Sequence, residues 1–236
     1  MSTKNDDIEH TKQLVQKLHA QGKLNNKLLP YGSTAYRVQD TGHVSAEYYG
    51  CPKKPTELGR YNDPKEEIGI WYGAEHPSGA LAETFGRLRP KEAKGIGIVI
   101  NTTDLDARDM CVVETTRELN LLDLKPCLSR LARTVDEVTG PDYTLTQEIV
   151  AAVARLSGNP FDGVAYESRH HPDNHSCYAL WTAPGEITTV KTIEMTRLSE
   201  FEYNKELPEG FEGDSIDAEE IMTEILGYKV LGSWLR

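Results

Sequence analysis

Five side chains in this sequence carry groups suited to binding and acting on a small anionic molecule. They are Arg37 in AYR, Arg60 in GRYN, Tyr72 in IWYGA, Glu83 in ALAETFG and Ser168 in YESR. Planar guanidinium groups match phosphate oxygens through paired hydrogen bonds, and a carboxylate stabilises positive charge that develops during a reaction. A pair of arginines in a cleft can therefore hold an anionic substrate even in an acidic protein.

Each of these residues also has an ordinary structural explanation when it is considered alone. An arginine in a loop is usually a solvated charge, and a tyrosine on a strand is usually a half-buried packing residue. Glu83 lies four residues before Arg87, and a surface ion pair between them would be worth about 0.3 to 0.5 kcal/mol. Ser168 could simply end a strand. The functional hypothesis therefore depends on the whole set.

The acidic composition limits the partners that this chain can bind. Its 236 residues include 26 basic and 37 acidic side chains, for a formal net charge of -11. Such a charge repels phosphate backbones and anionic lipid headgroups, so we expect neither direct nucleic-acid binding nor membrane binding. The first residues are polar and acidic, unlike a signal peptide, and no segment approaches the roughly 18 apolar residues of a membrane span. A cytoplasmic protein is predicted.

The cysteines and histidines give only weak support to a metal site. The four cysteines are far apart and form no C-x-x-C pair, which disfavours a disulfide framework and a zinc ribbon. One loop contains a cluster with the composition of a metal ligand set, formed by His170, His171, His175 and Cys177. Pro172 disfavours a helix that would place His171 and His175 on one face, and a polar loop between strands explains the segment equally well. We predict no metal and no cofactor.

Tyr72 and Glu83 belong to a predicted strand-turn-helix unit. Residues 68 to 74 form the predicted strand, and a His-Pro-Ser break precedes a helical run at 80 to 88. The apolar spacing of this helix predicts a buried stripe of Leu81, Phe85 and Leu88. At about 100° per residue, Glu83 lies roughly 200° from Leu81 and faces away from that stripe.

Short strands and helices alternate along the rest of the chain. Further strands are predicted at 96 to 100, 110 to 113, 162 to 168, 177 to 181 and 187 to 195, with 96 to 100 the best candidate for a fully buried strand. Helices are predicted at 6 to 19, from Pro126 with Leu128, Leu131 and Val135 inward, from Thr144 with a T-L-T-Q capping box, and at 217 to 226 before Gly227. This mixed order favours an α+β fold with small mixed β-sheets and flanking helices.

The five candidate residues, in this order and in these local settings, resemble the RES domain, a family named for a recurring arginine, glutamate and serine. The resemblance covers residues 31 to 185 and extends to the helix TLTQEIVAAV. It implies an ADP-ribosyltransferase-like catalytic domain over that range, with a helical appendage at 1 to 30. Residues 186 to 236 are then a C-terminal extension that packs on the same domain.

Members of the RES family are similar to enzymes that act on NAD, and the resemblance implies cleavage of the bond between nicotinamide and ribose. Departure of nicotinamide leaves an oxocarbenium-like ribosyl centre, which needs stabilising charge more than a metal or a strong nucleophile. Glu83 would bind a ribose hydroxyl and stabilise that charge, while Arg37 and Arg60 would grip the pyrophosphate. Tyr72 would present its ring to the nicotinamide or ribose, and Ser168 would orient the ribose or the amide.

The resemblance also implies partners and leaves alternatives open. Its better understood members are toxins that consume NAD, or transfer from it, and are restrained by an Xre-type antitoxin. NAD is thus expected as a substrate, an antitoxin as a protein partner, and water or inorganic phosphate as the acceptor of ADP-ribose. Transfer of ADP-ribose to a protein, a non-catalytic RES-fold binding module, and self-association into a homo-oligomer remain open at this stage.

Overall fold

Strands dominate the fold and short helices connect them. The structure is a computed structural model that describes residues 4 to 88, 97 to 171, 175 to 182, 188 to 207 and 211 to 232. The strands in these ranges are β1 (Asn26–Leu29), β2 (Thr34–Asp40), β3 (Gly69–Ala74), β4 (Val99–Asn101), β5 (Arg108–Thr115), β6 (Leu119–Asp123), β7 (Gly163–Glu167), β8 (Ser176–Thr182), β9 (Val190–Arg197), β10 (Glu202–Tyr203), β11 (Ile216–Asp217) and β12 (Lys229–Leu231). The helices are α1 (Lys4–Ala20), α2 (Pro77–Phe85), α3 (Thr102–Asp106), α4 (Leu124–Cys127), α5 (Val135–Thr139), α6 (Thr144–Ala154) and α7 (Ala218–Glu220).

Eight of the strands form one sheet in the order β1-β6-β7-β8-β3-β2-β5-β9. Neighbours in this sheet are antiparallel, except that β6 and β7 are parallel. β10 pairs with β11, and β12 pairs in parallel with β4, in two separate two-stranded sheets. With helices beside this mixed sheet, the α+β class predicted from the sequence is confirmed.

The two faces of the main sheet bury different sets of residues. Successive side chains of a strand point to opposite faces. On β8, Cys177 and Ala179 belong to a large core that also contains residues of α1, α2 and α6, whereas Tyr178 and Leu180 belong to a smaller core without helical residues. We call these the helix-covered face and the opposite face. The candidate residue Tyr72 packs against the core of the helix-covered face.

The N-terminal helix α1 packs against α6 and shares its core. Val15 and Leu18 are buried there, and burial of such side chains typically contributes about 1.5 to 3 kcal/mol each. The Arg133 guanidinium, from the segment before α5, donates to the Thr11 hydroxyl at 2.8 Å and to the Asp7 carbonyl at 2.5 Å. These bonds fasten α1 to the body of the fold.

Helix α2 begins at a proline and lies very close to the sheet. His76 is its N-cap and accepts a hydrogen bond from the Ser78 backbone N–H at 3.2 Å. A side chain at Gly79 would place its Cβ 3.0 Å from Ala74 Cβ, so glycine permits the close approach of the helix to β3. Seven of the nine residues of α2 are buried. The helix is therefore buried on nearly all sides, and not only along one apolar stripe.

The predicted stripe on this helix is correct for Leu81 and Phe85 and wrong for Leu88. The α-helix ends at Phe85, and residues 86 to 88 form a 3₁₀ turn that leaves Leu88 52 % exposed. The change to three residues per turn rotates Leu88 away from the line of the two buried residues.

The strand at 96 to 100, which was predicted to be fully buried, is only partly buried. Within 96 to 100, residue 96 lies outside the described residues, Ile98 and Ile100 are buried, and Val99 is exposed. β4 pairs only with β12, outside the main sheet, so one side of it meets solvent. The weaker prediction at 110 to 113 lies inside β5, where Met110, Cys111 and Val113 are fully buried between β2 and β9.

The helix predicted from Pro126 is broken into two. Leu128 and Leu131 are buried as expected, but the chain adopts a left-handed conformation at Ala132, with φ of 54°. Val135, predicted to point inward, starts the separate helix α5 and is 51 % exposed. A left-handed residue cannot continue a right-handed helix, so the apolar periodicity does not carry through.

The helix predicted from Thr144 is confirmed, but its capping box is wrong. Its N-cap is Tyr143, and the Thr144 hydroxyl donates to the Asp142 carboxylate at 2.7 Å. The backbone N–H of Gln147 donates to the Tyr143 carbonyl, but its side-chain amide, predicted to close the capping box, donates to the Gly59 carbonyl at 3.0 Å. A long-range contact thus replaces a local one, and it ties α6 to the GRYN segment.

Predictions for several other elements are confirmed. The strands at 68 to 74, 162 to 168 and 177 to 181 correspond to β3, β7 and β8. Of the strand predicted at 187 to 195, β9 covers 190 to 195, and residue 187 lies outside the described residues. In the C-terminal region Asp217 and Glu220 form a capping box, α7 continues as a π-helical turn, and Gly227 follows with φ of 64°.

Within the described ranges no helix combines the length and apolar character needed to cross a membrane.

Candidate functional site

Glu83 points into the fold and meets two hydroxyl groups. Its carboxylate accepts a hydrogen bond from Ser168 Oγ at 2.6 Å and a longer one from Tyr166 Oη at 3.4 Å. Tyr166 belongs to β7 and Ser168 directly follows that strand. Among the described residues, Arg87 is not a partner of Glu83, so the surface ion pair considered from the sequence is wrong. The carboxylate is instead held between α2 and the end of β7.

Burial and nearby positive charge act on Glu83 in opposite directions. Burial raises the pKa of the Glu83 carboxyl, because a charged carboxylate loses solvation. The hydrogen bond from Ser168 and the charges of Arg60 and Arg169 lower that pKa and so favour the ionised form. The site thus holds a poorly solvated carboxylate whose charge depends on one serine and two arginines.

The sheet beneath this site carries small residues flanked by tyrosines. Tyr166 on β7 is in register with Cys177 on β8, and Tyr72 on β3 is in register with Ala179 on the same strand. All four side chains lie on the helix-covered face. The Tyr61 ring packs on Tyr166 with centroids 4.3 Å apart. The result is an aromatic surface beside Glu83 with small side chains between its members.

Tyr72 supports the GRYN turn through its hydroxyl. That hydroxyl accepts from the Tyr61 backbone N–H at 3.0 Å and donates to Asn62 Oδ1 at 3.1 Å, and the Gly59 N–H donates to the same oxygen at 2.8 Å. A Cβ at Gly59 would lie 2.9 Å from the Tyr72 hydroxyl, so the turn requires glycine. Tyr72 is therefore a positioning residue for Arg60 in this structure.

Arg60 and Arg169 converge on the end of α5. The Arg60 guanidinium lies 4.5 Å above the Tyr143 ring and donates to the carbonyls of Val138 and Thr139. Arg169 donates to the same Thr139 carbonyl at 3.1 Å, and its guanidinium lies 3.5 Å from the Tyr143 hydroxyl. Both act electrostatically on Glu83. Two guanidinium groups thus lie together within electrostatic range of one carboxylate, an arrangement suited to a ligand with both anionic and electron-poor parts.

Comparison with protein families identifies the domain that carries this site. Residues 34 to 202 match the family model described as RES domain, which is more than half of the chain. The chain belongs to the RES domain family. The match begins in β2 and ends in β10, and therefore includes all five of the predicted site residues.

The structural comparison supports the same fold. One similar chain is in a structure titled "Crystal structure of the M.tuberculosis MbcT-MbcA toxin-antitoxin complex", with 18% sequence identity and a TM-score of 0.54. The likeness covers 78% of this chain and 91% of the other. No curated protein matches the chain. At this identity the likeness concerns the fold.

Arg37 lies on the other side of the RES-domain sheet. Its β2 neighbour Tyr36 is in the helix-covered core, so Arg37 points to the opposite face. There its guanidinium donates to the Tyr48 carbonyl at 2.9 Å and lies 5.8 Å from the Trp71 ring. Burial lowers the pKa of Arg37. The structure brings together Arg60, Tyr72, Glu83 and Ser168, but it does not bring Arg37 to them.

Sequence reasoning missed Arg169, Tyr166, Tyr61 and Tyr143. Three of the four stand beside residues that were singled out: Tyr61 follows Arg60, and Tyr166 and Arg169 lie within two residues of Ser168. Their position next to a candidate residue in the sequence could therefore have identified these three. Tyr143 had no such signal, because its contact with Arg60 joins distant parts of the chain.

The loop between β7 and β8 does not gather its histidines and cysteine at one point. His170 packs against Gly86, where an added Cβ would lie 2.3 Å from the imidazole. Cys177 is buried in the helix-covered core, close to Gly79. The His175 ring stacks on His76 instead. The cluster suggested by their spacing in the sequence is therefore not one site in the fold.

Proposed function

We propose that this RES domain protein cleaves the bond between nicotinamide and ribose in NAD. The observation that carries the proposal is the Glu83 carboxylate, which is largely buried, accepts a hydrogen bond from Ser168 at 2.6 Å and lies within electrostatic range of the guanidinium groups of Arg60 and Arg169. Such a preorganised charge is worth most where water is largely excluded, because low dielectric strengthens its interaction with a developing cation.

The bond cleavage requires positive charge to appear at one carbon. The C1′–N bond breaks, its electron pair stays with the nicotinamide nitrogen, and the ribosyl carbon becomes oxocarbenium-like. Glu83, acting as an ionised carboxylate, accepts a hydrogen bond from a ribose hydroxyl and stabilises this carbon. Water or inorganic phosphate then adds to C1′ and loses a proton to solvent. Removing one preorganised electrostatic group of this kind typically costs a hundredfold or more in turnover.

Arg60 and Arg169 form the pyrophosphate clamp in this proposal. Both guanidinium groups donate to main-chain carbonyls in this structure, Thr139 among them. A pyrophosphate is a charged acceptor, and hydrogen bonds to charged groups are worth about 1.5 to 3 kcal/mol, against 0.5 to 1.5 kcal/mol for neutral ones. The substrate can therefore displace the carbonyls as partners and place the ribosyl carbon beside Glu83.

Ser168 and Tyr72 position these charged groups. Ser168 donates to Glu83 and also accepts from the His170 backbone N–H at 3.1 Å, so it fixes both the carboxylate and the start of the following loop. Tyr72 holds the turn that carries Arg60. NAD is in this view the substrate of the enzyme, and the chain needs no separate cofactor for the cleavage.

The biological setting that we propose is a cytoplasmic toxin with an antitoxin partner. The structural neighbour is titled as part of a toxin-antitoxin complex, and an enzyme that consumes NAD would harm its own cell if it acted without restraint. The net charge of -11 suits a partner with a basic contact surface. Co-purification from native lysate should recover such a protein with the chain.

Product analysis tests the proposed reaction directly. The purified chain is incubated with NAD, with and without inorganic phosphate and with added protein, and the products are identified by mass spectrometry. We expect free nicotinamide together with ADP-ribose or its phosphorylated form. ADP-ribose attached to protein would instead indicate a transferase. No nicotinamide release under any of these conditions, from a folded chain that still binds a partner, would favour a non-catalytic binding module and contradict the proposal.

A further inference from the structure

Three side chains with metal-binding atoms meet at the end of α2 opposite to Glu83. His76 precedes α2, His175 precedes β8, and Glu206 follows β10. Their ligand atoms all lie within 4.8 Å of one another. From this geometry we propose that His76, His175 and Glu206 bind a divalent transition-metal ion of the zinc class, a site independent of the proposed action on NAD.

The distances require only a small contraction to reach a coordination shell. Zinc binds histidine nitrogen and carboxylate oxygen at about 2.0 to 2.2 Å, which puts ligand atoms of a tetrahedral shell roughly 3.4 Å apart. The three residues differ in their freedom to move, since His76 is buried, His175 is half-buried and Glu206 is exposed. His76 thus serves as the fixed anchor, and the other two side chains close on the metal.

Ser78 gives His76 the outer-sphere partner that metal-bound histidines usually have. Its buried hydroxyl lies 2.7 Å from His76 Nδ1. In the capping tautomer Nδ1 accepts from the Ser78 backbone N–H, and the proton is on Nε2. Coordination through Nε2 therefore requires the proton to move to Nδ1, where the Ser78 hydroxyl accepts it in place of the cap hydrogen bond.

Aromatic contacts hold the two imidazole rings close together. The rings of His76 and His175 are stacked with centroids 4.5 Å apart and planes 12° apart, and the edge of Tyr203 meets His76 at 4.8 Å. Tyr203 is in β10, three residues before Glu206, so the same strand end that supplies the carboxylate also packs on the anchor histidine. Because a metal lies in the plane of each imidazole that binds it, coordination of one ion by both rings requires the half-buried His175 ring to tilt out of this stack.

The ligand set favours zinc over the common hard cations. Imidazole nitrogen suits zinc and related transition metals, whereas calcium and magnesium prefer shells of oxygen ligands. Three protein ligands leave a fourth position for water. A bound ion would join the start of α2, the loop before β8 and the segment after β10, which are far apart in the sequence.

Zinc binding to the full-length chain tests this inference. The protein is stripped with a chelator, dialysed and titrated with Zn²⁺ by calorimetry, and its thermal midpoint is measured with and without Zn²⁺. We expect one ion per chain and a rise in the midpoint, because a ligand that binds only the folded state stabilises it. Glu206→Ala and His175→Ala should each weaken binding by more than about tenfold, since loss of only an outer-shell partner of a ligand already costs about that much.

Two control variants make the test specific. His43 is exposed and outside the cluster, so His43→Ala should bind zinc like the parent. Glu83→Gln should also bind zinc like the parent, because Glu83 is outside the metal cluster, which separates this result from the proposed NAD chemistry. His76 is left unchanged because its loss would also remove the cap of α2. Absence of stoichiometric binding, or parent-like affinity in both His175→Ala and Glu206→Ala, would overturn the inference.

Discussion

The two faces of the main sheet hold arginine in different ways. On the helix-covered face, Arg60 and Arg169 stand near a buried carboxylate and share the Thr139 carbonyl. On the opposite face, Arg37 binds the carbonyls of the 41 to 50 segment and packs beside Trp71. The arginines therefore have different surroundings: Arg37 holds a loop on the opposite face, whereas Arg60 and Arg169 stand within electrostatic range of Glu83, where we propose that the substrate binds.

Removing Arg60 gives the largest effect expected from this comparison. Arg60→Ala should weaken NAD binding by about 1.5 to 3 kcal/mol, or roughly 10- to 150-fold, because it removes a charge-assisted contact to the pyrophosphate. Arg169→Ala should act in the same direction, and lysine at either position should restore only part of the affinity, since it lacks the planar fork. Binding of NAD by calorimetry measures the change. Parent-like affinity in both alanine variants would disprove the clamp.

Removing Arg37 should mainly destabilise the fold. Arg37→Ala leaves the Tyr48 carbonyl without its side-chain donor and exposes the Trp71 contact, which should cost about 1 to 3 kcal/mol of unfolding free energy. NAD affinity and turnover should change by less than about twofold, because the side chain points away from Glu83. Urea unfolding and NAD titration of the same sample give both values. A loss of NAD affinity like that of Arg60→Ala would show that Arg37 does belong to the substrate site, as the sequence predicted.

Ser168 should set the pH at which activity begins. Glu83 must be ionised to act, its pKa lies above the ordinary glutamate value, and activity therefore falls as the pH drops through that raised pKa. Because the Ser168 hydrogen bond lowers the pKa of Glu83, Ser168→Ala should move the acid limb of kcat/KM to higher pH. Ser176→Ala, a serine at the start of β8, is the matched control. An acid limb that does not move in Ser168→Ala would contradict this role.

The raised pKa of Glu83 also has a consequence for stability. The folded protein keeps the Glu83 proton to higher pH than the unfolded chain does, so unfolding releases it between the two pKa values. The stability contributed by this group is therefore full below the unfolded pKa and is lost as the pH rises through the folded pKa. In Ser168→Ala this loss should extend to higher pH.

Local periodicity predicts much of the frame of this domain. The short apolar runs of β3, β7 and β8 and the helical spacing in α6 are visible in the sequence because each element buries most of its apolar residues. The set of Arg60, Tyr72, Glu83 and Ser168 was also recognisable by type and order. Each of these four residues lies in a short segment whose sequence pattern can be interpreted without knowledge of distant contacts.

The sequence is less informative about which face of the main sheet a side chain occupies. A shift of one residue along β2 decides whether Arg37 meets Glu83 or Trp71, and only the pairing of β2 with β3 and β5 determines it. The diversion of Gln147 to Gly59 and the meeting of His76 with His175 likewise join distant segments. Such contacts depend on tertiary packing, which overrides local capping and spacing patterns.

Replacement of Glu83 by glutamine tests the central claim most directly. Glu83→Gln keeps the size of the side chain and an acceptor for Ser168 while removing the buried charge, so the thermal midpoint should be unchanged or slightly higher. NAD affinity should stay near the parent value, and nicotinamide release should slow by at least about a hundredfold. Arg87→Ala serves as the control for a surface effect and should leave release unchanged. Parent-like nicotinamide release from folded Glu83→Gln protein would contradict the proposed mechanism.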